Sequence, residues 1–265
     1  MKSLDQRVKM TENEKVEFDT DSYLERIHYR GPLRPTIEVL RNLHRCQMLS
    51  VPFENLDIHR GRKIILDSDL FYKKIVYENR GGYCYELNGC FAGLLRKLGF
   101  RTTTLSARVA GKHGFSPEFD HMTLLVHLGD RWLADVGFGD SFTRPIRVDS
   151  TDPQHDERDL YRVIRNGLKR TVLRRRKSNT WDPLYAFSLR PRKLADFAAR
   201  NVYQQTSPSS HFTQQRLISQ LTKSGRVTLT DHMLVLTKNG KRLETPVKNQ
   251  KHFAELLLKH FGLTI

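Results

Sequence analysis

Apolar positions along this chain recur with different periods, and their order predicts a helical front, a strand-rich middle and a mixed tail. In PTIEVLRNLHRC, Ile37, Leu40 and His44 fall near helical spacing behind Pro35, a residue suited to a first helical turn. In CYELNGCFAGLLRKLG, Leu87, Phe91, Leu94, Leu95 and Leu98 share one side, and Gly99 stands where a helix should end. From about Phe100 the period changes. RTTTLSARVA, HMTLLVHL, RWLADVGF, YRVIR and LKRTVL are alternating or β-branched runs divided by turn residues, which predicts an antiparallel sheet or barrel. Past Asn201 the pattern mixes: RVTLTDHMLVLTKNGKRLETPV reads as strands about Asn239-Gly240. NQKHFAELLLKHFG reads as an amphipathic helix with Phe253, Leu256, Leu257 and Phe261 inward, capped by Asn249 and Gly262. No internal repeat and no low-complexity stretch interrupts this order.

The length of 265 residues and 38% hydrophobic content suit a sizeable core shared by one to three sub-domains. MKSLDQRVKMTENEKVEFDT carries no apolar leader region, and no apolar run approaches the roughly 20 residues of a membrane span, so a soluble, cytoplasmic protein is expected. The formal net charge of +16 will attract acidic partners: nucleic acid, anionic membrane or a phosphate-bearing small molecule. The densest basic run, Tyr161 to Lys177, is predicted to be a hairpin turning at Asn166-Gly167. A solvated edge hairpin accounts for it, and no RRM, KH or zinc-finger pattern accompanies it.

Three cysteines, Cys46, Cys84 and Cys90, form an odd set that predicts free thiols and no disulfide framework. Zinc is poorly supported, because Cys84 and Cys90 would point about 240° apart on a helix, and no second C-x-x-C or H-x-x-x-H pair is present. Cys84 is the distinctive one. In RGGYCYELNG it follows two glycines and opens a predicted helix. Unpaired N–H groups and the positive end of the dipole stabilise a thiolate at a helix start, and the same groups can hold an oxyanion when sulfur attacks a carbonyl. Gly81 and Gly82 allow a sharp turn and leave room for substrate. A small buried apolar cysteine is the plainer alternative.

A nucleophilic cysteine needs a base and a group that orients the base. In FDHMTLLVHLGDRWLADVGFGD, the even positions Met122, Leu124, Val126 and Leu128 should face the core, so His121 faces the other way. In the returning strand Trp132, Ala134 and Val136 form the apolar set, leaving Asp135 opposite. The loop decides whether the two meet. A two-residue turn at Gly129-Asp130 would separate them. A three-residue loop, Leu128 to Asp130, pairs Thr123 with Asp135 and puts His121 diagonally beside Asp135 at about 7–8 Å between backbones. The longer loop, or an equivalent bulge, is expected. A lone histidine on a strand can also be structural.

Taken in order, VPFENLDIHRGR (Val51 to Arg62), RGGYCYELNG, FDHMTLLV, LADVGFGDSF and NVYQQTSPSSHFT (Asn201 to Thr213) resemble the marks of the arylamine N-acetyltransferases, in their compact bacterial form. The resemblance runs from about Tyr23 to the C-terminus; residues 1–20 read as a variable lead. It implies an α+β protein in three parts. These are a helical bundle with the cysteine (1–99), an antiparallel β-barrel with the histidine and aspartate (100–200) and an α/β lid (201–265), built about a papain-like Cys-His-Asp core. Acetyl-coenzyme A would acetylate Cys84 as co-substrate, with His121 as base and Asp135 as its orienter, and no metal. An arylamine, arylhydrazine or N-hydroxyarylamine would then take the acetyl group in a ping-pong cycle.

By the same resemblance Phe53 and Phe138 line the acceptor pocket, and Gly139, Tyr203 and Ser209 contact the coenzyme. Each aromatic could instead be ordinary core. Tyr83, between the glycine pair and the cysteine, and Cys90, at an aliphatic position, depart from the pattern without touching the chemistry. The implied partners are small aromatic amines and hydrazines and coenzyme A, with no specific nucleic acid, no membrane and a monomer or homodimer. The Arg174–Lys177 cluster is a candidate holder of the coenzyme phosphates. A papain-type thiol hydrolase and a basic nucleic-acid-binding protein are the rival readings; the papain cysteine signature is absent.

Overall fold

The computed structural model describes residues 17–157, 159–176 and 180–264. Most of the lead segment and Lys177 of the basic cluster therefore lie outside the described residues. The front of the chain folds as α1 (Thr20–Arg26), α2 (Ile37–Ser50), a two-residue strand β1 (Phe53–Glu54), α3 (Leu56–His59), α4 (Ser68–Tyr72) continuing into a π-turn, and α5 (Cys84–Lys97). Thr36 caps α2 through its side chain, so Pro35 stands one residue outside the cap and not in the first turn. The helix α5 ends as its sequence predicts, with Gly99 in the left-handed region at φ +84.

The predicted one-sided stripe on α5 understates its burial. The helix packs against α1, α4 and two barrel strands, and Glu86, Asn88, Cys90 and Ala92 are buried together with the leucines. A helix enclosed on so many sides must find partners for every polar side chain it carries. Those of Glu86 and Asn88 build the site described below.

The middle of the chain supplies β2 (Arg101–Gly111), β3 (Gly114–Phe115), β4 (His121–Leu128), β5 (Asp130–Ala134), β6 (Ile146–Arg147), β7 (Gln154–His155), β8 (Leu160–Asn166), β9 (Lys169–Arg175) and β10 (Asp182–Ser188). They form one antiparallel sheet in the order β6-β5-β4-β2-β10-β9-β8-β7, with β3 paired to β2. Because β6 lies against β8, the sheet curls into a nearly closed barrel. The hairpin tip turns through Gly167-Leu168, Asn166 pairing with Lys169, one residue later than predicted; Gly167 takes the positive φ of +59 that the turn requires.

Strand β4 departs from a simple inward and outward alternation. Met122, Leu124 and Val126 join the helical core, while Leu125 and Leu133 join the barrel interior with Leu105, Phe142 and Tyr185. Both faces of this strand are covered, so His121 faces away from the helical core yet remains buried.

After a short 3-10 turn come α6 (Ala198–Thr206), α7 (His211–Gln214), β11 (Leu217–Thr222), β12 (Gly225–Thr230), β13 (Met233–Lys238), β14 (Lys241–Pro246) and α8 (Gln250–Phe261). Asn239 and Gly240 both adopt positive φ, as a two-residue hairpin turn between Lys238 and Lys241 demands. Helix α8 is capped by Asn249, which accepts from the His252 N–H, and by left-handed Gly262. The strands form a second antiparallel sheet, β1-β11-β12-β13-β14, whose edge strand β1 comes from the helical front of the chain. The fold is α+β: helical bundle, antiparallel barrel and α/β lid.

Candidate active site

Cys84 is placed by the segment just before it. Gly82 forms a parallel bridge with Phe53, and the Glu54 N–H donates to the Gly82 carbonyl at 2.9 Å. A Cβ on Gly81 would fall 2.0 Å from the Pro52 carbonyl oxygen, so only glycine lets the two strands approach this closely. The flanking charges lock the same junction. Arg80 donates to Glu54 at 2.7 Å and Asp57 at 3.1 Å, and Lys74 reaches Asp57 and Glu86 at 2.8 Å each. Glu86 in turn accepts from the Tyr83 N–H at 3.0 Å, which fixes the first turn of α5. These buried charges satisfy one another and hold the cysteine at the first position of its helix.

His121 opens β4 and Asp135 follows β5. The observed register, Leu128 opposite Asp130 and Leu124 opposite Ala134, extends to Thr123 opposite Asp135, the pairing of the three-residue loop. The imidazole Nε2 lies 2.6 Å from Asp135 Oδ2, with both residues buried. That leaves Nδ1 for the Cys84 thiol, the other hydrogen-bond partner of this ring. Burial opposes the charged imidazole, but the Asp135 carboxylate, helped by Cys84, raises it to about 10. Burial likewise opposes the ionised Asp135; the charge and hydrogen bond of His121 and the donors Asn88 and Gly137 keep its carboxyl below the ordinary range. The structure brings Cys84, His121 and Asp135 together as a papain-like Cys-His-Asp arrangement.

Two further groups fix Asp135. Asn88 Nδ2 donates to Asp135 Oδ1 at 3.0 Å and to the Met122 carbonyl at 2.7 Å, while its Oδ1 accepts from the Val136 N–H at 3.0 Å. His44, fully buried on α2, accepts the Asp135 N–H on Nε2 at 3.1 Å. Its Nδ1 must then carry the proton and donate to the Thr143 carbonyl at 2.9 Å. Burial lowers His44 to about 4, so the ring stays neutral.

A cleft of about 1350 Å³ opens over Cys84 and His121 between the barrel and the lid. Phe53, Phe138, Gly139, Tyr203 and Ser209 all line it, and Asp135 sits behind His121. Phe138 meets His121 edge-on at 5.2 Å. Phe212, which also lines the cleft, packs against Phe53 at 6.0 Å and Tyr83 at 5.8 Å. Arg200 on α6 pairs with Asp120, next to His121, at 2.6 Å. Among the described residues no cluster of three or more His, Cys, Asp or Glu side chains could hold a metal ion, and the three cysteines are free thiols.

Sequence reasoning missed His44, Asn88, Phe212 and the charges Glu54, Asp57, Lys74 and Glu86. One signal was available for part of them: the segments that flank the cysteine turn, PFENLD and RGGYCYE, themselves carry three acidic residues, Glu54, Asp57 and Glu86, and the basic Arg80. His44 had no such signal, since its partners are 91 and 99 residues away.

A family model described as N-acetyltransferase matches residues 36–265. The arylamine N-acetyltransferase / N-hydroxyarylamine O-acetyltransferase of Salmonella typhimurium is 35% identical over 249 residues, covering 92% of this chain and 88% of that protein. The solved structure of the Salmonella typhimurium arylamine N-acetyltransferase superposes with a TM-score of 0.87 at 33% identity, covering 92% of this chain and 90% of that one. That of Mycobacterium marinum in complex with CoA superposes with a TM-score of 0.86 at 30% identity, covering 92% of each.

Proposed function

The chain belongs to the arylamine N-acetyltransferase family and is an acyltransferase, and from that premise we propose that it moves an acetyl group from acetyl-coenzyme A to arylamines, arylhydrazines and N-hydroxyarylamines through an acetyl-Cys84 intermediate, in the cytoplasm. The observation that carries this reading is the Cys84–His121–Asp135 line at the floor of the cleft, with His121 Nε2 2.6 Å from Asp135.

Cys84 Sγ, its proton held by His121 Nδ1, attacks the thioester carbonyl carbon. The tetrahedral oxyanion faces N–H groups at the start of α5. As it collapses, the bond to the coenzyme sulfur breaks and the His121 imidazolium returns the proton to that leaving thiolate. The amine nitrogen then attacks the acetyl carbon on Cys84, neutral His121 takes the amine proton, and the C–S bond breaks to release the N-acetyl product and restore the thiolate–imidazolium pair. Asp135 stabilises the imidazolium and holds the ring with Nδ1 toward sulfur. The aromatic wall of Phe53, Phe138 and Phe212 suits an aryl ring of the acceptor, and Gly139, Tyr203 and Ser209 are assigned to the coenzyme side of the cleft.

Intact-protein mass after brief exposure to acetyl-coenzyme A without acceptor tests the reading. Wild type should gain one acetyl group, and Cys84→Ser none. Adduct on both proteins would make another residue the nucleophile. Release of a fluorogenic peptide label without acetyl transfer would favour a thiol hydrolase.

A further inference from the structure

Asp140, the residue after Gly139, is shared by three guanidinium groups. Arg174 Nη1 donates to its carbonyl at 2.9 Å and to Oδ2 at 3.2 Å, Arg176 Nη2 donates to Oδ2 at 2.6 Å, and Arg226 Nε lies 3.4 Å from Oδ1. Arg174 and Arg176 belong to the barrel and Arg226 to the lid sheet, so one carboxylate ties the two walls of the cleft together. The exposures are uneven. The side chains of Arg174 and Arg226 are 13% exposed, whereas that of Asp140 is 55% exposed. Two nearly buried cations are thus covered by a carboxylate that faces solvent.

Positive charge exceeds negative here. Asp159 also faces Arg174, but Lys223 and Arg242 line the same cleft, the latter paired with Glu244 at 2.6 Å. Arg226 further donates to the Ser219 hydroxyl at 3.2 Å, which holds its guanidinium in place. A planar, pre-positioned set of guanidiniums is the arrangement that binds phosphate oxygens in pairs. An isolated carboxylate offers two oxygens to groups that can address more.

We propose that Asp140 is an internal anion occupying a phosphate site built from Arg174, Arg176 and Arg226, and that the phosphates of coenzyme A displace it when the acyl donor enters the cleft. The proposal rests on the reading that acetyl-coenzyme A is the donor. Asp140 lies two residues beyond Phe138, and Gly139 between them takes a φ of +88 that few other residues adopt. Release of Asp140 therefore frees the segment that carries an aromatic wall. Once the coenzyme has left, Asp140 returns to the arginines and Phe138 is reset for the amine. A single cleft then serves the two substrates in turn.

Calorimetric titration with coenzyme A and with pantetheine, which has the same thiol arm without phosphates, tests this. In Asp140→Asn the coenzyme A Kd should fall about tenfold relative to the pantetheine Kd, the worth of about one charge-assisted hydrogen bond no longer contested. In Arg226→Gln the same ratio should move the opposite way. An unchanged ratio in both variants, or weaker coenzyme A binding in Asp140→Asn, overturns the proposal; if Asp140→Asn does not fold, an unchanged ratio in Arg226→Gln alone overturns it. Wild-type protein that binds no coenzyme A overturns the donor reading and this proposal with it, whereas normal wild-type binding with the wrong variant response overturns only the proposal.

Discussion

The backbone N–H of Asp135 donates to Nε2 of His44 across 3.1 Å, so a neutral, fully buried imidazole on a helix holds the residue that orients His121. The bond joins the helical front to the barrel. It also sets the position of Asp135 independently of the carboxylate, which is committed to His121, Asn88 and Gly137.

Loss of this acceptor should slow acetylation without abolishing folding. In His44→Phe the Asp135 N–H is left buried and unpaired, at a cost of about 1–3 kcal/mol, and kcat should fall about tenfold or more. His44→Gln, which can accept from Asp135 and donate to Thr143, should recover part of it. The pH dependence supplies a second readout. Folding lowers His44 from 6.5 to about 4, so the unfolded chain binds more protons between these values and stability is lost as pH falls through that window. Denaturation midpoints from pH 6.5 to 4.5 should fall less steeply for His44→Gln than for wild type. Parallel slopes would show that His44 does not titrate as a neutral buried ring.

His121 has the opposite linkage. Its value rises on folding from 6.5 to about 10, so its contribution to stability is complete below 6.5 and is lost as pH rises toward 10. Wild type should therefore lose its thermal-stability advantage over His121→Gln steadily between pH 7 and 10. Nitrogen NMR of the ring at pH 8 should show it doubly protonated. A neutral ring at that pH would remove the ion pair from the mechanism. Asp135, lowered by folding, loses its own contribution only on acidification through its depressed value.

Truncating the cationic partner beneath the cysteine turn should be costly. Arg80→Met leaves Glu54 with its charge buried and poorly compensated, since Lys74 Nζ is 3.8 Å from Glu54. Breaking such a buried pair costs about 3–5 kcal/mol, which chemical denaturation would read directly. Arg80→Lys should recover only part of it, because one ammonium cannot reproduce the fork that grips Glu54 through both Nε and Nη2. Near-wild-type stability of Arg80→Met would mean that this ion pair does not hold the junction beneath the cysteine.

What the sequence makes legible follows from which residues carry local signals. Helix α8 is bounded by Asn249 and Gly262, the hairpin at Asn239-Gly240 needs positive φ at both central residues, and the parity of the loop at Leu128 to Asp130 brings Asp135 to His121. Local chemistry sets each of these. The supports of the site are different in kind. Asn88 and Glu86 read as the polar side of an amphipathic helix, because nothing in their neighbourhood announces that α5 is covered by the barrel. His44 reads as one more residue of an apolar stripe. The same limitation hides the second covered face of β4: alternation identifies a strand with one core, and here the barrel supplies another. Long-range packing decides all of these, and a local pattern does not encode it.

Gly137 offers the most direct test of how tightly the chemistry is held. It lies in VGFGD, where the chain crosses the start of α5, and a Cβ there would fall 2.6 Å from Asn88 Nδ2, 2.9 Å from Cys84 Cα and 3.0 Å from the Cys84 carbonyl. Two of these three atoms are backbone, which cannot rotate away as a flexible side chain can. Gly137→Ala must therefore push the first turn of α5 away from the barrel, and with it Cys84 from His121. A displacement of this kind is costly because the thiol and imidazole have to meet at hydrogen-bond distance. The expected outcome is a fall of about a hundredfold in the single-turnover rate of Cys84 acetylation, with pantetheine affinity changed far less. Equal losses in both would mean that the cleft as a whole has collapsed. An unaltered acetylation rate would show that the barrel and the cysteine helix shift past each other freely.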